Sequence, residues 1–272
     1  MTNSIASPLA VTRVRHPLKF RLLQVARVEA LTPHLTRVTL TGKDLQDFAS
    51  ASFDDHVKVF FPEPGADRPA LPLPPTEPDG RPVFPEGQRP VARDYTPRRF
   101  DPAANELVID FVLHETGPAT TWAAQAQPGQ YLGVGGPRGS FVIPEGFDWH
   151  LLIGDEAALP AIARRLEELP AGARAVAVLE ARDASARIPF DTRADARIVW
   201  CDHNPAANAL LQAVRDVELP DGEGYVWAAC ESAAVRAIRE HLTGERGIHK
   251  SRIRASSYWK RGAVAVHETL DD

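Results

Sequence analysis

Arg93, Tyr95 and Thr96 stand together in the run Arg93-Asp94-Tyr95-Thr96-Pro97-Arg98. A strand alternates its side chains, so Arg93 and Tyr95 are expected on one face. An arginine can grip a phosphate through two parallel hydrogen bonds. A tyrosine beside it offers a flat ring and a hydroxyl, and Thr96 can donate to a ring nitrogen. Together the three suit a flavin nucleotide. The plainer alternative is an edge strand with solvated arginines.

A second run reads His114-Glu115-Thr116-Gly117-Pro118-Ala119-Thr120-Thr121-Trp122. Proline after glycine opens a helix well, and the free N–H groups of a helix start attract a pyrophosphate. Thr120 and Thr121 could add hydroxyls. The alternative is an ordinary helix start with Trp122 in the core and a structural His114. The run Gly133–Gly139 fails the G-x-G-x-x-G pattern, because Arg138 takes the last glycine's place and a strand-like segment follows. It reads as a turn at a barrel rim.

Two further runs place chemistry where a strand meets a helix. In Leu151-Leu152-Ile153-Gly154-Asp155-Glu156 a strand ends at glycine, and in Trp227-Ala228-Ala229-Cys230-Glu231-Ser232 it ends at an acid. Open α/β sheets bind nucleotides at such strand ends. Asp155 and Glu156 could serve ribose or capping roles, and Glu231 a ligand or the charge of a helix start. Cys230 has no clear partner base and reads as a structural thiol. Glu180, ending the next strand, could bond a ribose 2′-hydroxyl and so favours NADH, whereas Arg182 and Arg187 could serve a 2′-phosphate. Last comes Ser257-Tyr258-Trp259-Lys260-Arg261-Gly262, whose aromatics and cations suit an aromatic anion. The alternative is a segment that packs on its own domain.

The elements that must position these runs fall into two grammars. Phe20–Val28, Leu35–Thr41, His56–Phe61, Arg93–Phe100, Glu106–Leu113 and Gln130–Gly133 are short strand-like runs parted by turn residues. They predict a six-stranded antiparallel barrel, with one helix over Pro118–Gln127. From His150 the chain alternates strands with helices at Ala158–Leu169, Ala206–Asp216 and Ala233–Leu242, which predicts a parallel sheet. The expected domains are 1–146 and 147–272.

Taken in order, these motifs resemble the siderophore-interacting protein family, flavin-dependent ferric-siderophore reductases of the ferredoxin-reductase type. The resemblance rests on R-x-Y-T, H-x-x-G-P-A-T-x-W, G-P-R-G-S, I-G-D-E-x-A-L-P-A-I, A-x-E-S and Y-W-K-R-G, with Asp55-His56-Val57-Lys58 matching an early D-H-V-K segment. It spans roughly Phe20 to Gly262. It implies an FAD-binding barrel followed by an NAD(P)H-binding α/β domain. Arg93, Tyr95 and Thr96 would hold the ribityl and isoalloxazine, and His114, Gly117, Ala119 and Thr120 would surround the pyrophosphate. Asp155, Glu156 and Glu231 would face NADH or NADPH. Lys58, Lys260 and Arg261 would form a basic substrate surface. Electrons would pass from NAD(P)H through FAD to Fe(III) in a siderophore, releasing Fe(II), with no catalytic side chain beyond the flavin and no protein metal ligand. Cys230 and Ser257 depart from the family's usual glycines, and Lys260 from a frequent arginine. Two other readings stay open: a flavin reductase serving a ferredoxin-like partner, and a siderophore- or flavin-binding module without catalysis.

Composition bounds the answer from the other side. The 272 residues carry a net charge of −5, which argues against a general nucleic-acid binder. The segment 246–262 holds six Lys/Arg and no acid, so the rest of the chain is at −11 (25 basic against 36 acidic). That segment suits an anionic ferric siderophore, a catecholate above all. No apolar run reaches the roughly 18 residues of a membrane span, and the two cysteines suit a reducing cytoplasm. Ten of the 24 prolines lie in Pro62–Pro90, expected as a surface loop or as a rim over the site. The oligomeric state leaves no trace.

Overall fold

A computed structural model describes residues 9–73, 82–84, 90–114, 117–204, 206–262 and 268–270. The chain forms two compact units. Val11–Ile143 is one; Pro144–Asp272, with Leu9 and Ala10, is the other.

The first unit is a curled antiparallel sheet. Its strands are β2 (Phe20–Thr32), β3 (Leu35–Thr41), β4 (Val57–Phe60), β5 (Ala92–Tyr95), β6 (Arg99–Asp101), β7 (Glu106–Val112) and β8 (Tyr131–Gly135). They run in the order β5-β4-β8-β2-β3-β7-β6. A separate two-stranded ribbon pairs β1 (Thr12–Arg15) with β9 (Gly139–Val142).

The six expected barrel strands therefore become seven plus a ribbon, because Arg93–Phe100 is not one strand. Pro97 has no N–H for a ladder, so the strand stops at Tyr95 and resumes at Arg99. This break curls the sheet. β5 and β6 lie at opposite edges, yet only Thr96, Pro97 and Arg98 join them. Three linking residues span no more than roughly 14 Å. The edges of a flat seven-stranded sheet would stand about 28 Å apart. The sheet must curl, and its concave side fills with Leu23, Val38, Leu40, Val59, Ile109, Phe111 and Leu132.

Gly133 and Gly135 belong to β8 itself, and only Gly136–Arg138 makes the expected turn. Gly133 is required by close approach: a Cβ there would lie 2.2 Å from Leu71 Cδ2 and 3.1 Å from Phe60 Cβ. Arg68 likewise sits over the Tyr131 ring, 4.7 Å from its centroid. The start of the proline-rich segment thus lies along β8. Leu73 and Val83 form a β-bridge; residues 74–81 and 85–89 of that segment lie outside the described residues.

The second unit holds β10 (Trp149–Gly154), β11 (Arg174–Ala181), β12 (Asp195–Asp202), β13 (Gly224–Glu231) and β14 (Ile253–Trp259), all parallel in the order β12-β11-β10-β13-β14. A short antiparallel β15 (Glu268–Thr269) adds to β14. The helices are α2 (Leu159–Glu168), α3 (Ala209–Asp216) and α4 (Ser232–Glu240), and α1 (Pro118–Ala124) belongs to the first unit. Two helices are shorter than expected. α1 ends at Ala124, and α3 begins only at Ala209 because Asn208 is left-handed at φ 49°. Strand order reverses between β10 and β13, which makes their carboxyl ends the crevice of this sheet type. Among the described residues no helix is long and apolar enough to cross a membrane.

The sequence gives no sign of β14 as a strand. Its run Ile-Arg-Ala-Ser-Ser-Tyr-Trp lacks apolar alternation, yet Ala255, Ser256 and Ser257 are all buried in the sheet. It extends the sheet with part of the basic segment 246–262.

Candidate functional site

In the first unit an aromatic cluster brings the Arg93 run and the Gly117 run together. Tyr95 on β5 lies against Phe111 on β7, with ring centroids 4.5 Å apart. Phe111 in turn lies 5.7 Å from Trp122 on α1, and Phe61 contacts all three rings. Two runs about twenty residues apart in sequence so share one wall of the curled sheet. Burial pushes the Tyr95 phenol well above its ordinary value, which keeps its hydroxyl protonated as a donor.

Around that wall the polar groups are few. Thr96 is buried, and among the described residues its hydroxyl makes no hydrogen bond. The Arg93 guanidinium donates to the carbonyl of its neighbour Ala92 at 2.8 Å. Gly117 caps α1 at φ 141°, a conformation other residues rarely adopt, and a Cβ there would meet open space. The Thr120 hydroxyl accepts from the His114 N–H at 3.2 Å, which fixes the turn between them. Ala119 points into the core, so only its backbone faces outward. Glu115 and Thr116 lie outside the described residues. Among the described residues a buried threonine whose hydroxyl makes no hydrogen bond, an arginine bonded to its own strand and an open glycine corner fit a ligand with an aromatic head and a phosphate tail.

Behind them lies a buried charge cluster that the sequence reading missed. Asp110 on β7 accepts two hydrogen bonds from Arg37, at 2.7 and 2.8 Å, and Arg98 Nε stands 3.7 Å from its second oxygen. Arg98 belongs to the first motif, but it serves the support of that motif and not its surface.

The basic residues of this unit are placed differently from one another. Lys58 pairs with Asp94 across β4 and β5 at 2.7 Å. Arg138, given no site role in the sequence reading, stands exposed on the turn after β8, three residues beyond the register partner of Lys58. Its only signal was its place in the glycine-rich run.

In the second unit the crevice residues converge as the strand ends require. Gly154 ends β10 where no side chain fits: a Cβ would lie 2.4 Å from Ala158 Cβ and 3.0 Å from the Ala229 carbonyl oxygen. Asp155 follows and is buried. Its Oδ1 accepts from the Ala157 N–H at 3.0 Å; its Oδ2 accepts from the Glu231 N–H at 3.2 Å and the Trp259 indole at 2.7 Å. Desolvation nonetheless raises its carboxyl to about 6. Glu156 is tied to Arg182, which donates its backbone N–H at 2.7 Å and its guanidinium at 2.8 Å. Glu231 caps α4 through Ala233 and Ala234, and also accepts from the Arg261 N–H at 3.3 Å. It remains half-buried, while Lys260 and Arg261 stand exposed beyond it.

The remaining polar candidates are engaged. Glu180 bonds His203 at 2.8 Å, and Arg187 bonds Asp202 at 2.6 Å. Cys230 is buried, and desolvation pushes its thiol well above the ordinary value, which agrees with a structural thiol. Ser257 is fully buried beside Ser232 and pairs with it.

Residues 24–141 match the family described as the siderophore-interacting FAD-binding domain, and residues 147–262 the one described as siderophore-interacting protein. The chain is 38% identical over 256 residues to the NADPH-dependent ferric-chelate reductase of Escherichia coli K12, covering 93% of this chain and 98% of that one. It is also 38% identical over 255 residues to the ferric vibriobactin reductase ViuB of Vibrio cholerae O395, covering 91% and 93%. The crystal structure of a siderophore utilization protein from T. fusca superposes with a TM-score of 0.86 at 42% identity, covering 94% of this chain and 98% of that one.

Proposed function

The chain belongs to the siderophore-interacting protein family, with an FAD-binding domain, and on that footing we propose that it is a ferric-siderophore reductase drawing electrons from NADPH. The observation that carries the reading is the aromatic cluster of Phe61, Tyr95, Phe111 and Trp122, which joins the two flavin motifs into one wall. Relatives named for NADPH-dependent ferric-chelate reduction and for ferric vibriobactin reduction support it.

FAD, when bound, supplies the conversion of a two-electron donor into single electrons. The protein's part is binding and placement. The division of labour gives residues 1–146 to FAD and 147–272 to NADPH. Arg93, Tyr95 and Thr96 would hold the ribityl and isoalloxazine, with the Thr96 hydroxyl, which makes no hydrogen bond among the described residues, free to donate to the ring. His114, Gly117, Ala119 and Thr120 surround the pyrophosphate, the last by its hydroxyl and the others by backbone. Glu156 and Glu231 line the nicotinamide side of the second sheet, Asp155 behind them. Glu180 is occupied by His203, so the acid that argued for NADH has a partner already.

Lys58, Lys260 and Arg261 attract the ferric siderophore. Its iron enters and leaves as substrate, since Fe(II) is held less tightly by hard oxygen donors than Fe(III). An anionic catecholate gains most from cations on an otherwise acidic chain. The cytoplasm suits the two free thiols, Cys201 and Cys230.

The test is anaerobic stopped-flow on FAD-loaded protein. NADPH should bleach the flavin absorbance, and a ferric tris-catecholate should restore it with Fe(II) appearing in a colorimetric trap. Flavin that NADPH bleaches but no ferric chelate restores overturns the reading. A ferredoxin reduced faster than any ferric chelate would place the protein with an electron-carrier partner instead.

A further inference from the structure

Asp155 was expected to face the nicotinamide, but its surroundings describe another role. Both carboxylate oxygens are spent on N–H donors of the chain: Ala157 on Oδ1, Glu231 and the Trp259 indole on Oδ2. The group is 8% exposed. Three different elements meet on it: the segment after β10, the end of β13 and the end of β14.

What those donors carry decides the inference. Glu231 presents a half-buried carboxylate at the crevice, and its Oε1 in turn accepts the Arg261 N–H at 3.3 Å. Trp259 is followed directly by Lys260 and Arg261. Its backbone carbonyl lies 3.3 Å from the hydroxyls of both Ser232 and Ser257, and since these also pair with each other, one of the two is left to donate to it. The register between β13 and β14 also shifts here: Cys230 pairs with Ser257, but Glu231 pairs with Trp259. That bulge sets Tyr258 and Trp259 against the single step from Cys230 to Glu231 and turns the strand end. After the shift the ladder holds Trp259 beside Glu231, and the side-chain bonds of Asp155 tie the same two residues together just before the Lys260–Arg261 turn.

We propose that Asp155 is a positioning residue: its carboxylate locks the Glu231 backbone and the Trp259 indole together, and so sets the Lys260–Arg261 turn against the nicotinamide side of the sheet. The inference rests on the ferric-siderophore reductase reading for the identity of the substrate. It does not rest on that reading for the lock itself. Asparagine tests it because its amide has a single acceptor oxygen. Asp155 serves three donors through two oxygens, so in Asp155→Asn at least one N–H faces an NH₂ and loses its partner. A charge-assisted bond lost at a positioning point weakens substrate binding by about tenfold.

The experiment uses the FAD-loaded full chain as Asp155→Asn and Trp259→Phe. Steady-state rates are taken with NADPH against a ferric tris-catecholate, and against ferricyanide as a small acceptor. The Trp259 indole resonance is followed by ¹⁵N–¹H NMR. In Asp155→Asn the indole proton should move upfield, KM for the ferric tris-catecholate should rise about tenfold, and kcat should change by no more than about twofold. Trp259→Phe keeps the carboxylate and removes one donor; it should reproduce the rise in siderophore KM. A purely structural role would lower the folded fraction and kcat while leaving KM in place, and that outcome overturns the proposal. So does loss of NADPH binding with an unmoved indole resonance, since Asp155 would then touch the nicotinamide itself. If Asp155→Asn does not fold, an unchanged siderophore KM in Trp259→Phe overturns it alone. If the wild type reduces ferricyanide but no ferric chelate, the functional reading fails. The lock is then decided by the indole resonance and the NADPH KM in Asp155→Asn: both shifting supports it, and both unchanged overturns it.

Discussion

The Trp259 indole donates to Asp155 Oδ2 at 2.7 Å, across 104 residues of sequence. The bond joins the strand-end acid of β10 to the aromatic that opens the basic turn after β14. Two motifs that read as separate in the chain are one cluster in the fold.

That cluster has a pH signature. Desolvation, with Glu180 adding to it, raises Asp155 to about 6 from an ordinary 3.8, while the hydrogen bonds pull the other way and lose. The folded state therefore binds this proton more tightly than the unfolded chain. Its contribution to stability is fully present below pH 3.8 and is lost as pH rises through about 6. The loss is on the order of 3 kcal/mol for a shift of this size. Urea unfolding from pH 4 to 7 should show the wild type losing stability against Asp155→Asn across that window. A constant difference would contradict the assignment.

His150 works in the opposite sense. Burial, helped by Arg165, lowers its imidazole to about 4, and among the described residues its Nδ1 has no partner. Here the unfolded chain binds the proton more tightly. Stability is present above pH 6.5 and falls as pH drops toward 4. His150→Phe should flatten that acid limb in the same urea series, leaving the slope set by Asp155 exposed.

Thr96 separates cofactor binding from folding. The residue is 7% exposed and its hydroxyl makes no hydrogen bond among the described residues, so Thr96→Val removes no bond described in the apoprotein. FAD affinity should fall about fivefold to tenfold, the worth of one hydrogen bond. Apoprotein unfolding should be unchanged or slightly harder. Fluorescence titration of FAD into apoprotein measures the first, and a urea midpoint the second. Equal losses in both would make Thr96 a structural residue.

Asp110 tests the support behind the flavin motif. It is 3% exposed and faces Arg37 and Arg98. Asp110→Ala leaves buried guanidinium charge without its carboxylate, which costs about 3 kcal/mol or more. The expected outcome is a lower urea midpoint together with weaker FAD binding, because Arg98 anchors the link that carries Thr96. A variant as stable as the wild type would show that the cluster is dispensable.

Gly154 tests the crevice. A methyl group there would lie 2.4 Å from Ala158 Cβ. Gly154→Ala should therefore shift the start of the following turn, at a cost of about 1–3 kcal/mol. NADPH KM should rise while FAD binding is retained. A flavin lost along with NADPH would place the defect elsewhere.

The sequence by itself determined the two grammars and their order. Turn residues between short β-branched runs specify an antiparallel sheet, and alternating strands and helices specify a parallel one, because both signals are local and repeat along the chain. The motif residues were legible for the same reason: Gly154 closes a strand, Pro118 opens a helix and Arg93 alternates with Tyr95 within a few residues. The tertiary structure alone decided what each polar group faces. Pro97 looked like one residue of a strand, but as the link between the two edges it curls the sheet. β14 hides in a run of serines and cations because its neighbours bury it, not its own hydropathy. Asp155 looked like a ligand by position. Its burial and its bonds to Glu231 and Trp259, donors from two distant segments, follow from long-range contacts no local pattern encodes.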